Sequence, residues 1–297
     1  MKGPIKRKIA KHTSKNKSES VLNTQIILRK EINCMIECYM KEMFKIFGKK
    51  EVIGIYLLGS VNKKWDSEID YIPSMSDVDL NVYIKHPDKV NTYFSDITQA
   101  LSFAAACENN FRKIIKNPIH IPRLQAQLHN MFLDKYPDYL APKNSVKTIY
   151  GVPYENTIPE TKKKAQDHKK KILDNSDFLR GIPLRIMSAN NERLIRYLSE
   201  IYYRVCTAVP HILCLKGMTP DDAMCLNKTT ITKNLESFGY KVLAKKYLSM
   251  LKNCYKCGLN SYRYDLNREH DNSDALYSAI SEGYNSLKIC IQIAEKN

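Results

Sequence analysis

Two short β-rich runs lie close together in a chain whose other apolar residues recur mostly at helical spacing. Glu51 to Leu58 is the first and ends at Gly59 and Ser60, and Val78 to Ile84 is the second, ending before His86 and Pro87. Both read as buried strands. Ahead of them Leu28, Ile32, Met35, Ile36, Tyr39, Met40, Met43 and Phe47 fall on one helical stripe that Gly48 stops. Behind them Asp88 can cap a helix running to about Ile115, and Pro118 to Leu124 alternates like a third strand, whose two prolines place it at a sheet edge. The pattern of helix, strand, strand, helix, strand describes a small α/β unit.

The pattern then changes. Six of the twelve prolines lie between Pro118 and Pro159, which marks irregular connection around one short helix and puts a domain boundary near its end. Beyond it Leu194, Leu198, Ile201, Tyr202, Val205, Cys206 and Val209 form an apolar stripe before Pro210, and Lys241 to Tyr255 and Ser273 to Glu295 repeat the amphipathic period. A bundle of about four or five helices is the simplest packing for these. The expected fold class is α+β, with a basic disordered tail at 1–20, a mixed-sheet domain at 21–158 and an all-helical domain at 159–297. With 297 residues and 34.4 kDa, the chain is long enough for two domains to bury their own cores.

Composition excludes several classes. Apolar residues at 43% and charged residues at 26% are ordinary for a folded protein, and no run approaches the ~18 apolar residues of a bilayer span. The N-terminus has no apolar core for a signal peptidase, so a cytoplasmic protein is expected, with the nine scattered cysteines reduced. The formal charge of +16 favours an acidic partner. Much of it sits in residues 1–20, where seven Lys or Arg meet one Glu without apolar period, as in a tail that binds polyanions. A second cluster, Lys162 to Lys164 with Lys169 to Lys171, reads first as a solvated helix face.

One stretch carries chemistry. Gly59 and Ser60 close a strand, and Ser76, Asp77, Val78, Asp79 and Leu80 open the next. Residues i and i+2 of a strand share a face, so Asp77 and Asp79 present two carboxylates side by side. Such a pair repels itself unless a divalent cation neutralises it, and hard oxygen ligands suit Mg²⁺. Gly59 lets a phosphate approach the backbone, and the Ser60 hydroxyl with the following amides can donate to it. A triphosphate-and-metal site is the expectation.

This Gly-Ser plus Asp-x-Asp arrangement resembles the DNA polymerase β-like nucleotidyltransferase superfamily. Within it the chain is most similar to antibiotic nucleotidyltransferases of the streptomycin and spectinomycin adenylyltransferase kind, which join such a domain to a C-terminal helical bundle. The motif covers about residues 53–84, roughly a tenth of the chain. Weaker echoes are Ile149, Tyr150 and Gly151, like a turn before the helical domain, and Lys216 to Ala223, like an inter-helix loop. The resemblance implies two Mg²⁺ ions on Asp77 and Asp79, ATP as substrate with its terminal phosphates on Gly59 and Ser60, and transfer of AMP to an acceptor hydroxyl with release of pyrophosphate.

The chain departs from that pattern twice. Sixteen residues separate Ser60 from Asp77, and the insertion Lys63 to Met75 holds Trp65, the only tryptophan, with Asp66, Glu68 and Asp70. It reads either as a cover for the acceptor or as a surface loop with Trp65 packed on the domain. The resemblance also implies a third carboxylate on the next strand, where Ile119, His120 and Ile121 stand. His120 can replace its role as base, since an imidazole titrates near pH ~6.5, but it is a poor Mg²⁺ ligand. Asp134 and Glu155 are the nearest downstream carboxylates.

Other candidates rank lower. Cys254 and Cys257 have metal-ligand spacing with His270 the only partner nearby, Cys34 and Cys38 read as small apolar helix residues, and Lys228 and Lys233 are candidates to reach triphosphate from the helical domain. Two readings result: a Mg²⁺-dependent nucleotidyltransferase acting on a small molecule, an RNA end or a protein hydroxyl, or a catalytically impaired relative that binds nucleotide or RNA.

Overall fold

A computed structural model of the chain describes residues 5–134, 140–158, 167–262 and 273–297. The N-terminal half holds a mixed four-stranded sheet in the order β3-β2-β1-β4, made of β1 (Val52–Leu58), β2 (Val78–Ile84), β3 (Leu124–Leu128) and β4 (Lys147–Gly151). β1 runs antiparallel to β2 and β4, and β2 runs parallel to β3. Alternation in β2 decides the layers. Val78, Leu80, Val82 and Ile84 are buried against α1 (Ile5–Phe47) and α4 (Ile97–Ile114), while Asp79, Asn81 and Tyr83 occupy the opposite face. On α1 the stripe Leu28, Ile32, Ile36, Tyr39 and Met43 fills that core, and Tyr39 meets Phe103 of α4 edge to face at 5.4 Å.

Four expectations for this half change. α1 begins at Ile5, so residues 5–20 continue a helix where the sequence reads as a disordered tail. Lys, Arg, Ala and Glu are adequate helix formers, and extending a helix already held by its apolar half avoids the cost of a new nucleus. The helix expected from Asp88 to Ile115 is two, α3 (Pro87–Tyr93) and α4, because the Asp96 side chain accepts from Thr98 N at 2.8 Å and caps a new start. The third strand lies at Leu124–Leu128, not at Pro118–Leu124. Pro118 and Pro122 have no N–H for a ladder, and pairing starts just past them, where Val78 N donates to Arg123 O at 2.9 Å. Finally, Ile149, Tyr150 and Gly151 belong to an edge strand, β4, rather than a turn; Gly151 (φ +78) permits it, since a Cβ there would collide with the Ile53 carbonyl.

The C-terminal half is mostly helical. Among the described residues it contains α6 (His168–Leu173), α7 (Ser176–Met187), α8 (Asn191–Leu215), α9 (Pro220–Cys225), α10 (Lys228–Ser237), α11 (Lys241–Tyr262) and α12 (Ser273–Lys296), more helices than periodicity alone separates. Asn190, Thr219 and Asn227 cap α8, α9 and α10 through their side chains. Leu198, Val205, Val209, Leu243, Tyr247, Met250, Leu287 and Cys290 make the shared core. That core also takes Ile69, Ile72 and Met75 from the segment between β1 and β2, so the insertion is built into the helical half. Lys169 to Lys171 lie on α6, whereas Lys162 to Lys164 fall outside the described residues. No described helix is long and apolar enough to cross a membrane.

Candidate functional site

The site forms where β1 ends and β2 begins. Leu58, the last residue of β1, is paired with Asp79 in the antiparallel ladder. The chain then turns through Gly59 at φ +71 into the short helix α2 (Gly59–Asn62). A Cβ on residue 59 would lie well inside van der Waals contact with Asp79 Oδ2, so the carboxylate of the second strand rests on the bare Cα of the first turn. Ser60 is half-buried beside it, and its carbonyl accepts from Trp65 Nε1 at 2.9 Å.

Asp77 directly precedes β2, and Asp79 shares its face, as the alternation implies. Asp77 is paired with the Arg123 guanidinium, more than half exposed at the entry to β3. Burial, then the neighbouring Asp77, pushes the Asp79 carboxyl up to about 6, while Arg123 and Lys63 pull the other way. Ser76 ties the motif to the helical half: its hydroxyl accepts from Ile72 N at 3.0 Å and lies 3.1 Å from Tyr202 Oη on α8.

Lysines of both halves converge behind this turn. Lys63 Nζ donates to Leu226 O at 2.8 Å and Lys228 Nζ to Asp70 O at 2.8 Å. Burial lowers both, Lys63 to about 8, with Lys228 as its next cause. Lys228, expected to reach triphosphate, is thus buried against the insertion, while Lys233 adds its charge near Asp66. Asp70, 2% exposed, accepts from the backbone N–H groups of Asp66, Ser67 and Thr229 and from Thr229 Oγ1, so it caps α10 from another part of the chain. Trp65 stacks on Tyr71 with ring centres 4.8 Å apart, and the Arg29 guanidinium sits 3.9 Å above it. Of the two expectations for the insertion, packing is what these contacts describe.

His120 sits in a buried network with Glu31 and Tyr71. It is 2% exposed, its Nδ1 lies 2.8 Å from Glu31 Oε2 and its Nε2 2.9 Å from Tyr71 Oη. Nδ1 thus faces the carboxylate and Nε2 the Tyr71 hydroxyl, with the donor at each contact set by the tautomer. Glu31 also accepts from Ile119 N at 2.6 Å, so His120 fastens the segment before β3 to α1. Both ring nitrogens are engaged by these protein partners.

The true third strand puts Gln125 opposite Asp79 and Gln127 opposite Asn81, on the face of the two aspartates. On that face β3 carries two amides and no carboxylate. Asp134 ends α5 (His129–Asp134), and Glu155 is exposed in a 3₁₀ turn at Tyr154–Thr157 whose Tyr154 packs on His129 and Tyr56. Cys254 and Cys257 are buried in α11 with thiols pushed up by burial, and His270 lies outside the described residues.

Sequence reasoning missed Arg123, Lys63, Gln125 and Glu31. Glu31 left a readable signal, a charged residue between Leu28 and Met35 on an apolar stripe, and such a residue needs a buried partner. Comparison of the chain with models of protein families, with curated proteins and with solved structures gives no match.

Proposed function

We propose that the protein is a Mg²⁺-dependent nucleotidyltransferase that moves a nucleoside monophosphate, AMP from ATP, onto an acceptor hydroxyl with release of pyrophosphate. The observation that carries this reading is the seat of Asp79 against the Cα of Gly59, with Asp77 beside it on the same face. A side chain on residue 59 would fill that seat, so the motif residues serve each other in space as well as in sequence.

The donor set fits hard cations. Two carboxylates stand together, and burial, then Asp77, pushes the more buried one, Asp79, up to about 6 in spite of Arg123 and Lys63, a pairing that a divalent cation would relieve. Asp77 and Asp79 are the residues that would hold two Mg²⁺ ions, whose chemistry would be to neutralise the triphosphate and the charge that develops on it during transfer. The Ser60 hydroxyl and the amides of the turn after Gly59 would donate to terminal phosphate oxygens. Arg123 orients Asp77 and keeps an exposed positive edge beside it. A four-stranded mixed sheet followed by a mostly helical region supports this reading. The charge of +16 and the basic residues of 1–20 suit an acceptor that is itself a polyanion, such as an RNA end.

A second reading, nucleotide binding without transfer, is favoured by Gln125. An amide at that place neither completes an anionic metal site nor accepts the proton of an attacking hydroxyl. One experiment separates the readings: incubation of the full chain with labelled ATP, Mg²⁺ and separate pools of RNA, protein and small-molecule acceptors, with Gln125→Glu in parallel. Label on one pool supports the transferase and names its acceptor class. Mg²⁺-dependent ATP binding without labelled product, with transfer gained in Gln125→Glu, supports the second reading. Absence of Mg²⁺-dependent nucleoside triphosphate binding overturns both.

A further inference from the structure

We propose that His168, His211 and Cys214 form a zinc site that pins α6 to α8 in the helical half. His168 opens α6, and His211 and Cys214 lie one turn apart on α8, so i and i+3 bring an imidazole and a thiol onto the helix face that α6 covers. His168 Nδ1 and His211 Nδ1 are 2.9 Å apart, and one potential ligand atom from each of the three residues lies within 4.8 Å of the others. A tetrahedral zinc with bonds of about 2.0–2.1 Å to nitrogen and about 2.3 Å to sulfur needs its ligand atoms roughly 3.3–3.7 Å apart, so small side-chain rotations suffice.

The chemistry of the three groups agrees. Two imidazoles and one thiol form a borderline-soft set, suited to zinc and unsuited to Mg²⁺ or Ca²⁺. Burial holds both imidazoles below their ordinary value, His211 at about 4, so both are neutral near pH 7 as ligation requires. Burial pushes the Cys214 thiol up to about 11, so ligation must displace its proton and zinc affinity should rise with pH. The protons balance. Cys214 releases one to solvent, and the imidazole now donating through Nδ1–H shifts that proton to its Nε2, so that both Nδ1 lone pairs face the ion. Lys171 acts on both histidines and Asp167 on His168, placing one cation and one carboxylate nearby. His168 and Cys214 are half-buried rather than sealed, which gives an ion a way in. Three protein ligands leave a fourth position for water or an added ligand.

The proposal does not depend on the nucleotide reading. The full chain is stripped with a chelator, and zinc is titrated in competition with a chromophoric chelator; cobalt replaces it as the optical probe. One tight zinc per chain is expected, with a thiolate-to-cobalt charge-transfer band. His168→Gln and Cys214→Ser should each weaken binding at least about ten-fold, with Cys214→Ser losing the band, while Cys254→Ser keeps both. Circular dichroism checks each fold, and His168→Gln, at the half-buried start of a short helix, decides alone if Cys214→Ser unfolds. Absence of stoichiometric zinc, or its full retention in His168→Gln, overturns the proposal.

Discussion

Gly59 and Asp79 occupy the same space in turn: where a side chain on residue 59 would begin, the Asp79 carboxylate already sits. Gly59→Ala should therefore displace the carboxylate and also strain a backbone held at φ +71, by about 1 kcal/mol for the strain alone. The expected result is a folded variant whose Mg²⁺-dependent ATP affinity, read by calorimetry, falls at least about ten-fold. Unchanged affinity would show that the contact has no part in nucleotide binding.

Asp77→Asn and Asp79→Asn should each abolish Mg²⁺-dependent nucleotide binding, but they should differ in stability. Asp79 is raised to about 6 in the folded protein, first by burial and then by Asp77, so the native state holds its proton more tightly than the unfolded chain. Its stabilising contribution is complete below the ordinary carboxylate value and fades as pH rises through about 6. Metal-free Asp79→Asn should consequently melt about 2–4 °C above the wild type at pH 8 and lose that margin near pH 4. Equal melting temperatures at pH 8 would remove this assignment.

His120→Ala tests a fastening rather than a base. It strands Glu31 among buried groups and empties a ring-sized space, at a cost of about 3 kcal/mol or more. Its melting temperature should fall sharply, with the pH profile of Mg²⁺–ATP binding unchanged in the surviving folded protein. A shifted profile at undiminished stability would restore His120 as the base.

Acid should weaken the zinc-free protein through two histidines. Burial holds His129, ringed by Tyr56, Tyr83 and Tyr154, at about 4, and burial followed by the charge of His168 holds His211 at about 4. Unfolding lets each take a proton below about 6.5, an uptake of about two protons toward pH 4 that the proton released by Asp79 offsets in part. His129→Phe should remove about one of them, since Thr157 Oγ1 keeps its bond to Tyr154 O. A slope identical to the wild type would refute the assignment to His129.

Periodicity located the strongest elements because burial repeats with the element: β2 alternates residue by residue, and α1 shows Leu28, Ile32, Ile36 and Met43 on one side. The placement of Asp77 and Asp79 on a common face was legible for the same reason. β3 was misplaced because Ile119 and Ile121 alternate like a strand while Gln125, Ala126 and Gln127, at an exposed edge, carry no apolar signal. That error hid Gln125 and led to His120. The triad of His168, His211 and Cys214 was illegible in principle, because its first two members are forty-three positions apart and only the packing of α6 on α8 joins them.

Ile69, Ile72 and Met75 interrupt a sheet domain in sequence but reside in the core of the helical one. With Asp70 capping α10 and Gly258 letting α11 close onto the Pro73 carbonyl, the two halves are interlocked rather than strung together. Modularity is the casualty. A fragment cut near residue 158 would carry three apolar side chains with nothing to cover them, and the fragment beyond it would keep a matching hole. Neither half can therefore be exchanged alone, and the turn that carries Gly59, Asp77 and Asp79 is bound to its helical partner by shared interior rather than by a linker.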